Sequence, residues 1–144
     1  MEIRKYKNGD LDGVISTWEN ASKVGHYFLD KDFINSERKN IPAKYLPNGD
    51  CWVAEEHNLV IGFMILQGNE VGALFVDPKC HGEGVGYSLM NIAQEQYGDL
   101  RVEVFKQNSI GRKFYSRYGF NLIREYHHKE SDKAMLCLSY SQSK

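Results

Sequence analysis

The apolar positions of this chain fall into two textures that change near Gly49. Met1 to Tyr6 alternates like an edge strand, and Asn8-Gly9-Asp10 offers turn chemistry and a helix cap. From Leu11, the apolar set Leu11, Val14, Ile15, Trp18 and Ala21 follows helical spacing. The stretch from Ser22 to Asn48 is polar and aromatic, with a second helix expected from about Asp32 and limited by Pro42 and Pro47.

Beyond Gly49 the runs become strand-like. Cys51 to Glu55 and Leu59 to Leu66 flank the polar turn Glu56-His57-Asn58, and Gly68-Asn69 leads into the nearly apolar Val71 to Val76. Asp77-Pro78 and a glycine-rich turn precede an amphipathic helix from about Val85 to Tyr97, with Val85, Leu89, Ile92 and Ala93 facing inward. Leu100 to Phe105 reads as a strand and Ser109 to Tyr118 as a helix. Phe120 to His127 and Ala134 to Tyr140 read as a closing strand pair. The order β-α-α-β-β-β-α-β-α-β-β predicts a mixed α/β fold in one domain, residues 1–144, with a mostly antiparallel central sheet and helices on both faces.

Composition narrows the function. At 144 residues, 42% hydrophobic and 12% aromatic, the chain has the material for a core of its own. Its 18 basic residues against 19 acidic ones argue against a module that works by neutralising nucleic-acid phosphates. No apolar run approaches membrane-spanning length, and MEIRKYKNGD is not a secretion-type segment, so no membrane partner and a cytoplasmic location are expected. Cys51, Cys80 and Cys137 are odd in number and far apart. That pattern fits small, mostly buried thiols in a reducing compartment and gives neither a disulfide framework nor a CxxC metal site.

The most informative stretch is Val76-Asp77-Pro78-Lys79-Cys80-His81-Gly82-Glu83-Gly84-Val85-Gly86-Tyr87-Ser88-Leu89, which joins a strand to a helix. Alternating glycines let backbone approach a ligand closely, and the free N–H groups at the positive helix end favour an anion such as a pyrophosphate. A P-loop is strongly disfavoured because no Lys follows Gly86. A dinucleotide fingerprint gains from Glu103, about twenty residues on, but the last required glycine is replaced by Ser88 and no second mononucleotide half fits.

A second stretch, Val104-Phe105-Lys106-Gln107-Asn108-Ser109-Ile110-Gly111-Arg112-Lys113-Phe114-Tyr115-Ser116-Arg117-Tyr118-Gly119-Phe120, carries an independent pattern. It resembles VxxxNxxAxxxYxxxGF of the GNAT family of N-acetyltransferases, with Gly111 in place of the usual Ala. The first stretch resembles that family's acetyl-CoA motif, (Arg/Gln)xxGx(Gly/Ala), with His81 where Arg or Gln is usual.

The resemblance implies acetyl-CoA as co-substrate, no metal, and an amine acceptor, either a protein lysine or a small molecule. It implies cofactor contacts at Leu74, Val76, His81, Gly82, Glu83, Gly84, Val85, Gly86, Tyr87, Asn108 and Tyr115. The acceptor would meet His26, Tyr27, Phe28 and Tyr126. Asn108 and Tyr115 lie two helical turns apart on one face, so Asn108 serves as helix cap and ligand while Tyr115 reaches the leaving sulfur. A tyrosine, with a reference pKa of about 10 against roughly 8.5 for a thiol, is protonated at neutral pH and can supply that proton.

Exposing the lone pair of a lysine-like amine at pH 7.4 costs roughly 4 kcal/mol, which a carboxylate acting through water can provide. Glu70 is the candidate base, at a spacing before His81 similar to that of family members using a glutamate, and Glu103 is a second carboxylate. A CoA-binding sensor without catalysis stays open as the alternative, as does the choice between monomer and homodimer.

Overall fold

Seven strands form one sheet, in the order β1-β2-β3-β4-β5-β7-β6, in a computed structural model that describes residues 1–142. The strands are β1 (Glu2–Lys5), β2 (Asp50–Glu56), β3 (Leu59–Gln67), β4 (Glu70–Val76), β5 (Leu100–Phe105), β6 (Asn121–His128) and β7 (Lys133–Tyr140). The helices are α1 (Leu11–Gly25), α2 (Lys31–Asn40), the short turn α3 (Leu46–Asn48), α4 (Val85–Tyr97) and α5 (Ser109–Tyr118). The expected mixed fold, with a mostly antiparallel sheet and helices on both faces, is the one found.

Strand alternation sorts the core into two layers. Val14 and Trp18 of α1, with Ile41, pack on Cys51, Val53, Phe63 and Ile65 on one face. Val85, Leu89, Met90 and Ala93 of α4, with Tyr115 of α5, pack on Ala54, Met64, Val102 and Val104 on the other. Met90, not Ile92, completes the fully buried stripe of α4, while Ile92 is only partly covered.

Two local expectations change. Asp10 occupies the N-cap of α1 but makes no side-chain cap bond, because its carboxylate takes Arg4 at 2.8 and 3.0 Å and the Lys7 N–H at 2.9 Å. Residues 41–48, which Pro42 and Pro47 were expected to limit, stay helical as a wide π turn, Ile41–Tyr45, followed by α3. Each proline falls near the start of one of these two segments. Upstream, α2 begins at Lys31 because the Asp30 side chain caps it, accepting from the Phe33 N–H at 2.8 Å.

One departure from regularity positions the site. Strands β4 and β5 run parallel and pair only at Glu70↔Arg101 and Val71↔Val102. Beyond those pairs they diverge, while β5 stays paired with β7 from Leu100 to Phe105. In the same place the β3–β4 register slips between Ile65↔Ala73 and Leu66↔Val71, leaving Gly72 as the extra residue of a bulge. The central sheet therefore opens as a V between the C-terminal halves of β4 and β5.

Candidate active site

The turn at one side of the V has the form of an anion cradle. Gly82 and Gly84 hold φ of +84° and +83°, where a side chain is strained, and a Cβ on either would meet nothing within 4 Å. Gly84 caps α4 in the left-handed conformation, and the first intrahelical bond across it runs from the Ser88 N–H to its carbonyl at 3.0 Å. The N–H groups of Val85, Gly86 and Tyr87 belong to the first turn of α4, so no carbonyl of that helix can accept from them. They lie at the positive end of α4, an arrangement that favours an anion.

Gly86 does something different. A Cβ there would lie 2.9 Å from the Phe114 ring, so this glycine lets α4 close against α5. Tyr87 extends the same contact, its ring 5.3 Å from Phe114 and 5.2 Å from Tyr118. Val85 is buried in the core, and Glu83 is exposed. His81 turns back on the chain, its Nε2 3.1 Å from the Val76 carbonyl, and so braces the end of β4. Leu74 and Val76 lie on the free side of β4 within the V, their side chains packed against the α4–α5 layer.

On the opposite wall, Asn108 caps α5, its Oδ1 accepting from the Gly111 N–H at 3.0 Å. The Asn108 amide lies over the first turn of α5 because Gly111 has no Cβ, which would fall 2.6 Å from Nδ2. Gly25, at the end of α1, leaves room on the other side, where a Cβ would stand 3.3 Å from Asn108 Oδ1. Two turns along α5, Tyr115 is buried between Phe114 and Phe120, at 5.4 Å from each ring. Burial pushes its phenol well above the ordinary tyrosine value, so it carries its proton throughout the neutral range.

The far face of the V is aromatic. His26 follows α1, and its ring spans the opening edge-on, 5.8 Å from Phe75 of β4 and 5.3 Å from Phe105 of β5. Phe28 packs on both His26 and Phe105, Phe33 of α2 adds a further wall, and Tyr27 stands outside at 71% exposure. His26 Nε2 lies 3.4 Å from Asn108 Nδ2, and burial pushes its pKa down to about 4.

The expected acceptor loop thus meets the expected cofactor residue Asn108 directly. Neither of two sizeable surface grooves is the V: one of about 590 Å³ lies between α1 and α2, the other of about 420 Å³ between α5 and the β6–β7 pair.

The carboxylates gather at the closed end. Glu70 is exposed in the first of the two parallel pairs, opposite Arg101. Glu103 is the first β5 residue beyond that pairing and accepts from Tyr126 Oη at 2.9 Å and Cys137 Sγ at 3.4 Å. Burial, then the bond to Glu103, push Tyr126 up to about 12. Among the described residues no three His, Cys, Asp or Glu side chains group as a metal site. No described helix is long and apolar enough to cross a membrane.

Sequence reasoning overlooked Phe75 and Phe105 as walls of the site. Phe105 had a signal, since alternation places it on the same sheet face as Arg101 and Glu103, away from Val102 and Val104.

Comparison with known proteins agrees with this geometry. Residues 47–122, which hold the V, the turn and all of α5, match the Acetyltransferase (GNAT) domain family. The chain is 30% identical over 84% of its length to peptidyl-lysine N-acetyltransferase YiaC of Escherichia coli, of which the match covers 84%. Against peptidyl-lysine N-acetyltransferase YjaB of the same organism it is 30% identical over 85% of the chain and 83% of that protein. The solution structure of apo YjaB superposes with a TM-score of 0.87 at 26% identity, covering 99% of this chain and 98% of that one. A Bacillus anthracis structure described as a streptothricin acetyltransferase in complex with acetyl coenzyme A gives a TM-score of 0.59 at 26% identity, over 67% of this chain and 64% of that one.

Proposed function

The chain belongs to the GNAT acetyltransferase family, and from that premise we propose that it moves an acetyl group from acetyl-CoA directly to a primary amine, a protein lysine above all. The observation that carries the reading is the junction of two half-sites in one opening of the sheet. The glycine turn before α4 and the Asn108–Tyr115 face of α5 flank the same V between β4 and β5.

The residues present fit acetyl-CoA. The first-turn N–H groups of α4, with Gly82 and Gly84, would hold its pyrophosphate, and the free side of β4 at Leu74 and Val76 would hold the pantetheine arm. When bound, acetyl-CoA supplies an activated acyl carbon with a thiol leaving group. Asn108 fixes the start of α5, and Tyr115 keeps a proton at the inner end of the site for the departing sulfur. His81 contributes by bracing Val76.

The acceptor would enter from the aromatic face, past Tyr27 and Phe28. Glu70 and Glu103 stand at the closed end of that face beside Arg101, and their carboxylates can pair with a cationic side chain. A lysine side chain on a protein suits an open, shallow face bordered by rings. The two Escherichia coli relatives, named as peptidyl-lysine N-acetyltransferases, favour that acceptor.

Release of free thiol from acetyl-CoA, measured against lysine peptides and a panel of small amines, tests the reading. Peptide-dependent release supports it. Binding of acetyl-CoA with no release on any acceptor would favour a non-catalytic sensor.

A further inference from the structure

Resting on that reading, we propose that His26 is the proton acceptor of the transfer: its Nε2, on the acceptor side of the opening between β4 and β5, takes a hydrogen bond from the attacking amine and then its proton.

Placement comes first. The ring is the polar group that spans the V, held between Phe75 on one wall and Phe105 on the other. An amine entering past Tyr27 and Phe28 would meet this ring before it reached Tyr115, which is buried on the α5 side.

The state of the nitrogen follows from its partner. An amide Nδ2 is a donor only, so Nε2 facing it at 3.4 Å offers its lone pair and the ring proton sits on Nδ1. The other neighbours of the ring are Phe28, Phe75 and Phe105, none of which titrates. Burial alone lowers its pKa, to about 4, and so keeps the lone pair available at neutral pH.

The contact is also replaceable. A separation of 3.4 Å is long for a hydrogen bond, and Asn108 stays anchored through Oδ1 when Nδ2 lets go. One turn earlier on α1, the Ser22 hydroxyl is buried and has no hydrogen-bond partner among the described residues. The carboxylates are less well placed, since Glu70 lies at the closed apex and Glu103 is engaged by Tyr126 and Cys137.

The step balances with the two residues alone. As the amine nitrogen bonds to the acetyl carbon, its proton passes to His26 Nε2. The carbon–sulfur bond breaks, and the sulfur takes the Tyr115 hydroxyl proton. Exchange with water then restores both side chains.

His26→Phe is the sharpest variant, because it keeps a ring among Phe28, Phe75 and Phe105 and removes the lone pair. With acetyl-CoA and a lysine peptide, its kcat is expected to fall about 100-fold or more while acetyl-CoA affinity is retained. Activity within about threefold of the unsubstituted protein would overturn the assignment, because general acid–base catalysis is worth more than that. A second readout is independent of turnover and of folding of the variant. Imidazole ¹⁵N shifts of the unsubstituted protein at pH 7 should show an unprotonated Nε2 and a protonated Nδ1, and a protonated Nε2 would overturn the proposal. If the unsubstituted protein acetylates no amine, the acetyltransferase reading fails, and the ¹⁵N spectrum still decides the state of His26.

Discussion

His26 and Asn108 stand 82 residues apart in sequence, yet the imidazole Nε2 lies 3.4 Å from the amide Nδ2. The pair links the end of α1 to the cap of α5 across the opening of the sheet. In the proposed reading, Asn108 is on the cofactor side and His26 on the acceptor side. Two glycines make the contact possible, Gly25 beneath the amide and Gly111 beside it.

The half-buried imidazole sets a pH dependence of stability. Its pKa is about 4 in the folded chain against an ordinary 6.5, so the unfolded chain binds a proton that the folded chain refuses. The stability contributed by the neutral ring is fully present above about pH 6.5 and is lost as pH falls toward 4, by up to roughly 3 kcal/mol. His26→Phe should remove that loss. Denaturant unfolding at pH 7 and pH 4.5 checks it, and equal acid losses in the two proteins would contradict it.

Gly111→Ala separates stability from activity. Alanine gains about 1 kcal/mol of helix propensity, but its Cβ would fall 2.6 Å from Asn108 Nδ2 and push the amide off its cap, which costs about 1 kcal/mol. Thermal unfolding should therefore shift little while turnover drops several-fold. A variant with full activity would show that the position of Asn108 does not matter.

Gly84→Ala acts on the cradle. No neighbour obstructs the added carbon, but φ of +83° costs a non-glycine residue about 1–2 kcal/mol. The methyl would also stand in the space assigned to the pyrophosphate. Titration calorimetry should show acetyl-CoA affinity falling about tenfold or more, equivalent to 1.4 kcal/mol or above. Unchanged affinity would move the cofactor elsewhere.

Much of this architecture is legible in the sequence. Val85–Tyr97, Leu100–Phe105 and Ser109–Tyr118 keep the bounds read from the sequence, because helical period and alternation switch there at glycines or polar turns. Residues 41–48 were not legible, since a proline in the first turn of a helical segment resembles one that ends it. The glycine turn is recognisable in the sequence as a strand-to-helix junction, but Gly86 serves the packing of Phe114, and only the fold brings those two together. His26 could be placed in the acceptor loop by resemblance. Its burial could not be read, because that depends on strands β4 and β5 parting and on a contact with Asn108. Asp10 is similar, since the cap expected from local sequence yields to Arg4 in the neighbouring strand.

Tyr115 is buried on the face of α5 that Asn108 begins, and the proposed transfer rests on it as the proton donor. The measurement is single-turnover acetylation of a lysine peptide by Tyr115→Phe, with acetyl-CoA affinity determined on the same preparation. The phenyl ring keeps its packing against Phe114 and Phe120, so affinity should hold while the transfer rate falls about 100-fold. A variant that binds acetyl-CoA and transfers the acetyl group at the unsubstituted rate would contradict the assignment.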